Sequence, residues 1–256
     1  MARAHNPPVE GLLGQLQHEL RRRLSPHRHT VLLVAIIVAF LVRPFTGDSG
    51  AGPPLFSLAL FVLLLLALYN ISVDELVGDR KVLLAQRRRR TIVGWTLGVA
   101  AIVLRFATFF VASRSLEVAD AVAWLFMFAF ITWNQLRAVL KQKEITREVI
   151  SLSISVYLLF GLTFGLLYIL LHELQPNAFS FGGAGPTSDT QSFAVLTYFS
   201  LTTLSTIGFG DITPITLQAR YAAVTEGITG QFYLAILVAR LVGMQMSQPA
   251  SRDRKS

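Results

Sequence analysis

Apolar residues in this chain come in long, nearly unbroken runs, at roughly 29–44, 54–72, 91–113, 118–140, 149–173 and 217–246. A helix needs about 20 mostly apolar residues to cross a hydrocarbon layer. A helix with one solvated face would instead break such runs with polar positions every turn. The pattern therefore predicts six spanning helices. The first run is short and extends back to Ser25-Pro26, a capping residue followed by a favourable first helical position. Residues 9–24 read differently: Leu12, Leu13, Leu16, Leu20 and Leu24 recur at helical spacing among polar positions. That predicts an amphipathic helix lying along the inner membrane surface. Between the last two runs, Gly182-Gly183-Ala184-Gly185-Pro186 reads as a flexible outer turn, and 193–205 as a short, uncharged helix rich in hydroxyls.

Composition supports the membrane reading. Of 256 residues, 53% are hydrophobic and 15% charged, where a soluble domain carries about a quarter charged. There is no cysteine, which excludes disulfides and thiolate metal sites. The first 25 residues are polar and lack the apolar core of a cleavable signal peptide. A net charge of +8 would suggest nucleic acid in a soluble protein, but here the basic residues fall between apolar runs. Arg3, Arg21, Arg22, Arg23 and Arg28 precede or open the first run. Arg80, Lys81 and the cluster Arg87 to Arg90 follow the second, Lys141, Lys143 and Arg147 follow the fourth, and Arg252, Arg254 and Lys255 follow the last. The alternate connections are bare: 44–53 and 148–219 hold no Lys or Arg outside their ends, and the third-to-fourth link only Arg114. Every second loop is basic, so both termini are expected in the cytoplasm. Short loops and lean charge point to a multi-pass protein of a prokaryotic inner membrane, with no nucleic-acid partner.

Candidate chemistry concentrates in Thr206-Ile207-Gly208-Phe209-Gly210-Asp211. A dehydrated potassium ion needs roughly eight oxygen ligands, which rings of backbone carbonyls can supply. Aiming successive carbonyls the same way requires alternating backbone hands, and glycine takes the left-handed one without steric cost. Gly208 and Gly210 alternate with non-glycine residues as such a strand requires. Upstream, the hydroxyl-rich helix can aim its negative C-terminal dipole at an ion. Downstream, Asp211-Ile212-Thr213-Pro214 breaks the strand, since Pro214 cannot sit in a helix interior.

The six-residue run is similar to the selectivity filter of potassium channels, whose common form is Thr-Val-Gly-Tyr-Gly-Asp. From about 149 to 247 the order span, re-entrant helix, filter, span resembles the pore domain of the potassium-channel superfamily. The first four spans resemble that family only in number and topology. They look like the prokaryotic six-transmembrane type with one pore module per chain and a degenerate, arginine-poor peripheral domain. The resemblance implies an all-α integral membrane fold: six transmembrane helices plus a re-entrant pore helix and selectivity-filter strand, in a tetrameric pore. It implies a homotetramer because each chain supplies one quarter of every carbonyl ring. The implied domains are a cytoplasmic amphipathic segment 1–28, a four-helix peripheral domain 29–140, a linker 141–148, a pore domain 149–247 and a short cytoplasmic tail 248–256.

By the same resemblance, the carbonyls of Thr206, Ile207, Gly208 and Phe209, with the Thr206 hydroxyl, coordinate potassium as the permeant ligand, and no cofactor is needed. Gly210, Asp211, Tyr198, Phe199, Thr202, Thr203, Ser205 and Glu226 are implied to support the filter. Tyr198 and Phe199 match an aromatic pair that packs around it, and Asp211 stands at the outer mouth or bonds back to the pore helix. Phe209 and Ser205 depart from the usual Tyr and Thr, and Phe209 removes a phenolic hydrogen bond to the aromatic cuff. Gly230 stands where the family carries a gating hinge, although glycine in a membrane helix equally permits close packing. Glu226, an acid within a span, reads as a hydrogen-bond partner of Thr202 or Thr203 or as a gating group. Arg240 is expected to reach the headgroups rather than line the passage.

A voltage sensor needs arginines every third residue, but the fourth run has only Arg137, near its inner end, and Asp74 and Glu75 fall at the edge of the second. Arg105, deep in the third run, lies level with Asp120 of the fourth, which suggests a buried pair of structural or sensing role. The cluster Arg87 to Arg90, with Lys141 and Lys143, is a topology anchor that can also hold anionic lipid headgroups. Residues from Ile145 to Leu152 begin the helix that joins the peripheral domain to the pore. His5, His18, His27 and His29 all fall in the N-terminal region, which allows a pH response there. No grouping of side chains suggests catalysis or a small-molecule substrate. The expected function is a passive potassium-selective channel without steep voltage gating. The alternatives are a weakly selective or non-conducting cation channel or accessory subunit, or a secondary transporter. The last predicts related halves with broken helices, and no such repeat is visible.

Overall fold

The computed structural model describes residues 27–46, 52–73, 80–111, 113–142, 144–183, 185–186 and 189–246. Each apolar run has become a helix: α1 (Arg28–Thr46), α2 (Gly52–Val73), α3 (Arg80–Phe110), α4 (Arg114–Lys141), α5 (Arg147–Leu174) and α7 (Leu217–Met246). Between the last two lie β1 (Phe179–Phe181), the shorter α6 (Asp189–Leu204) and β2 (Ile212–Pro214). Among the described residues, four stretches are long and apolar enough to cross a membrane: Arg88–Thr108, Arg114–Lys141, Arg147–Leu174 and Leu217–Met246. Arg28–Leu41 and Leu58–Ile71 are shorter apolar helical stretches. The amphipathic helix expected at 9–24, Asp74, Glu75, Lys143, Ala184 of the outer turn and the tail 248–256 lie outside the described residues.

Helix α5 is the organising element. It packs against α1, α4, α6 and α7, because its apolar residues are spread round its circumference. Leu159, Leu162 and Leu166 of α5 share one buried cluster with Leu32 and Ile36 of α1, Leu63, Leu64 and Leu68 of α2, and Met127, Phe128 and Ile131 of α4. Helices α1, α2 and α4 thus share a core with α5 across the 141–148 linker. The linker itself is tight: α4 ends at Lys141, and Thr146 caps α5 by accepting from the Val149 backbone N–H at 3.3 Å. Five intervening residues hold α4 and α5 as antiparallel neighbours within one chain.

Two further contacts fasten this corner. Glu148, at the start of α5, accepts from the backbone N–H groups of His29 (2.9 Å) and Thr30 (3.4 Å) and from the Thr30 hydroxyl (2.6 Å). It therefore supplies an anion to the N-terminus of α1, where orphan donors and the helix dipole favour one. Arg240, near the end of α7, donates to the carbonyls of Val139 (2.7 Å), Leu140 (2.7 Å) and Gln142 (2.5 Å). The expectation that Arg240 reaches for headgroups is corrected: carbonyls at and just past the end of α4 can accept further donors, and the guanidinium takes three of them.

Beside the helices that make up most of the chain, the described residues hold one small sheet. Strands β1 and β2 pair antiparallel, with Phe179 opposite Pro214, Ser180 opposite Thr213 and Phe181 opposite Ile212. Gly182 N–H donates to Asp211 O at 2.7 Å, and Ile215 N–H to Ala178 O at 2.7 Å. The segment entering the outer turn is therefore laced to the chain leaving the Gly-Phe-Gly run. Strands this short carry no readable alternation, which is why the sequence reads as loop. Helix α7 is the least covered element: Tyr221, Val224, Ile228, Phe232, Ile236, Val238 and Val242 are all exposed on the single chain.

Candidate functional site

The site is built on the C-terminal end of α6. A helix leaves its last carbonyls without helical donors, and here the following residues supply them. Ser205 N–H donates to Leu201 O (3.0 Å), Thr206 N–H to Thr203 O (3.1 Å), and Ile207 and Gly208 N–H both to Thr202 O (2.9 and 3.2 Å). The chain doubles back over the helix end with its donors turned inward. Among the described residues, no backbone donor reaches the carbonyls of Thr206, Ile207, Gly208 or Phe209.

Backbone hand explains where those carbonyls face. Gly208 has φ +53° and Gly210 φ +81°, the left-handed region that the glycines make accessible. Thr206 adopts the same hand at φ +61° despite its branched side chain, and it is the one described non-glycine residue to do so. Left-handed residues thus alternate with Ile207 and Phe209 over five positions. The run holds four successive carbonyls without backbone partners on the protein surface, beside exposed Ile207 (57%) and Phe209 (68%). Such an arrangement can ligate a hard, dehydrated cation if other copies complete the shell.

Support for the run comes partly from residues the sequence points to. Tyr198, on α6, stacks parallel to Phe209 with centroids 6.4 Å apart, and its hydroxyl donates to Asp211 Oδ2 at 2.9 Å. Asp211 thus bonds back to α6, and its Oδ1 accepts from Ile212 N–H at 3.1 Å. Phe199 does not face the run within this chain. It is buried in an edge-to-face cluster with Tyr168 (5.0 Å) and Phe179 (5.5 Å), which fixes α6 to α5 and β1. The one-residue step from Tyr198 to Phe199 turns about 100° on a helix, so the two rings serve different faces. Ser205 donates to Leu201 O at 2.6 Å and Thr202 to Phe199 O at 2.9 Å, each a local bond within the helix end. Thr203 contributes its carbonyl to Thr206.

Glu226 is fully buried on α7, but its partners are Ser200 and Tyr168 rather than Thr202 or Thr203. Tyr168 donates to Oε2 at 2.5 Å, and Ser200 lies against Oε1. The Ser200 hydroxyl also reaches Gly161 O at 2.7 Å. The Ser200 hydroxyl thus bridges the Glu226 carboxyl and the Gly161 carbonyl. One carboxyl thereby joins α5, α6 and α7 behind the Gly-Phe-Gly run. Buried hydroxyls within apolar helices are the signal that could have singled out Tyr168 and Ser200.

Gly230 sits against the last residue of α6. A Cβ there would lie 2.8 Å from both Leu204 O and Leu204 Cδ1, and α7 continues helical through the position. Of the two sequence readings, close packing is the one this conformation displays. Tyr157 of α5 donates to the same Leu204 carbonyl at 3.1 Å. Gly161 and Gly165 do similar work on α5: a Cβ would meet Leu201 Cδ2 at 2.7 Å and Thr197 Cα at 3.1 Å, respectively. Away from this site, Arg105 Nη2 lies 3.1 Å from Asp120 Oδ2 between α3 and α4. Asp120 is buried and Arg105 about half exposed, so the pair is covered on its acidic side alone.

Residues 152–246 match the family model described as "Ion channel", a little over a third of the chain. No curated protein and no solved structure matches the chain. The family match spans most of α5, all of α6, the Gly-Phe-Gly run and α7, the elements that converge on the site. It supports an ion channel in the general sense. With the apolar helices, it supports an integral membrane protein engaged in ion transport.

Proposed function

We propose that the chain is a potassium-selective channel subunit, four copies of which surround one axis and conduct passively. In this reading six helices cross a prokaryotic inner membrane with both termini in the cytoplasm. The carbonyls of Thr206, Ile207, Gly208 and Phe209, with the Thr206 hydroxyl, line the passage. Gly210, Asp211, Tyr198, Phe199, Thr202, Thr203, Ser205 and Glu226 hold that run in place, and Gly230 belongs to the inner helix that lines the cytoplasmic half. The peripheral helices have no arginine ladder, so steep voltage gating is not part of the proposal.

One observation carries the reading: left-handed backbone at Thr206, Gly208 and Gly210, alternating with Ile207 and Phe209, above carbonyls that no backbone donor reaches. A soluble turn has no use for that alternation over five residues. Fourfold assembly is supported by the position of the run on the surface of one chain, flanked by the exposed apolar face of α7. A single copy cannot enclose an ion. The test is rubidium uptake into vesicles containing the purified protein, with a potassium gradient, barium as blocker and sodium as competitor. Barium-sensitive uptake that excess sodium leaves unchanged is expected. Equal passage of sodium would favour the weakly selective alternative, and no flux at all the accessory-subunit one.

A further inference from the structure

Trp133, Arg137 and Lys141 follow one another at four-residue spacing on α4 and therefore form a single stripe. All three are exposed, at the end of the apolar stretch Arg114–Lys141. The Arg137 guanidinium lies 4.6 Å over the Trp133 ring. Among the described residues it has no salt bridge and no hydrogen-bond acceptor, so its N–H donors face outward unmatched. The acids of α4, Glu117 and Asp120, are at the opposite end, and Glu144, next in sequence, is bonded to none of the three.

The neighbouring helix adds charge at the same level. Gly94 packs on Phe130 and Gly98 near Met127, while Arg105 meets Asp120. This antiparallel register, continued toward the start of α3, brings Arg90 and Arg88 level with Asn134 to Arg137, one turn short of Lys141. Gly94 and Phe130 themselves belong to the stripes that carry Arg90 and Arg137. An aromatic ring, a guanidinium stacked on it, and three further cations thus gather where two apolar helices reach the same membrane face. Tryptophan favours the headgroup level. A guanidinium facing lipid needs an acceptor, and its planar fork matches a phosphate bidentately.

We propose that the cytoplasmic ends of α3 and α4 form a headgroup site for an anionic phospholipid of the inner leaflet. Arg137 holds the phosphate, Trp133 sets its depth, and Lys141, Arg88 and Arg90 supply the surrounding positive field. The inference rests on the membrane reading and its inside-positive orientation, and it moves the main lipid contact from the arginine cluster to the face of α4.

Lipid retention tests it without requiring conduction. Full-length protein, reconstituted in mixed phosphatidylcholine and phosphatidylglycerol vesicles and gently extracted, is examined by native mass spectrometry for bound lipid. Wild type is expected to retain phosphatidylglycerol preferentially. Arg137→Gln and Lys141→Gln should each lower its retention about fivefold. Arg137→Lys, which keeps the charge but loses the fork, should fall between. Arg147→Gln removes an exposed charge at the same membrane level but outside the stripe, and should leave retention unchanged. Equal loss in Arg147→Gln and Arg137→Gln, or wild-type retention in Arg137→Gln, would overturn the site. Displacement of the lipid by excess inorganic phosphate would also overturn it, by making the acceptor a soluble anion. Retention with absent ion flux would leave the lipid site standing and count against the channel reading alone.

Discussion

Three residues with positive φ set the direction of the carbonyls above α6. A Cβ at Gly208 would meet nothing within 4 Å, so its substitution tests conformation rather than space. Holding alanine in the left-handed region costs roughly 1–2 kcal/mol, enough to shift a local equilibrium about five- to thirtyfold. Gly208→Ala should therefore reduce rubidium uptake by about that factor while leaving thermal unfolding in detergent almost unchanged. Unchanged uptake would mean that the left-handed hand at this position is dispensable. Glu226 calls for the opposite comparison. Glu226→Gln can still donate to Ser200 and accept from Tyr168, so it should unfold near the wild-type temperature. Glu226→Leu leaves the buried Tyr168 hydroxyl without its acceptor, at about 1–3 kcal/mol, and should unfold lower in a detergent melt. The glycine alternation was legible from the chain alone. Thr206 was not, because nothing local favours a left-handed threonine; it is held by the Thr203 carbonyl and the turn it closes. The direction Phe199 faces was not legible for a related reason: adjacent aromatics on a helix face different neighbours, and only packing says which.

At the level of elements, hydropathy located α1, α2, α4, α5 and α7 to within a few residues, since continuous apolar runs have few other solutions; α3 begins at Arg80, well before its apolar run, because the basic segment ahead of it is helical too. The contacts between elements were less legible. Arg240 on the last helix and Glu148 on the fifth both serve helix ends far from them in sequence, Val139 to Gln142 and His29 to Thr30. Their function follows from orphan backbone groups, which every helix end offers and no spacing advertises. Arg240→Gln should release the corner between α4 and α5 from α7. Faster amide hydrogen exchange over residues 138–149 is the expected outcome, with Arg240→Lys intermediate. Exchange as slow as wild type in both variants would show that the clamp adds nothing. The β1–β2 pair illustrates the same limit, as its register depends on where the chain leaving α6 delivers Asp211 rather than on any alternation in six residues.

For the whole molecule, exposed apolar surface on α7 and an exposed filter-like run predict association. Native mass spectrometry in mild detergent should find a species near four times the 28.3 kDa chain; a persistent monomer would remove the basis for a central passage. Each charge crossing the membrane field is worth about 2.3 kcal/mol per 100 mV, and the paired Arg105 is the one arginine deep within the peripheral spans. Open probability in planar bilayers should be nearly flat with voltage, and Arg105→Gln should leave it so. A steep curve that the substitution flattens would assign sensing to the Arg105–Asp120 pair.

Sequence by itself determined that the chain is built of membrane-length apolar helices, which loops carry positive charge, and where alternating glycines permit a carbonyl-lined strand. Those properties are local: they depend on run length, charge placement and the conformational range of single residues. Tertiary structure alone decided that Glu226 is closed in by Tyr168 and Ser200, that Gly230 is filled by Leu204, and that Arg240 binds the end of α4. Each depends on which buried polar groups and helix ends are brought within hydrogen-bonding reach, and that distance is a property of the packed chain, not of its order.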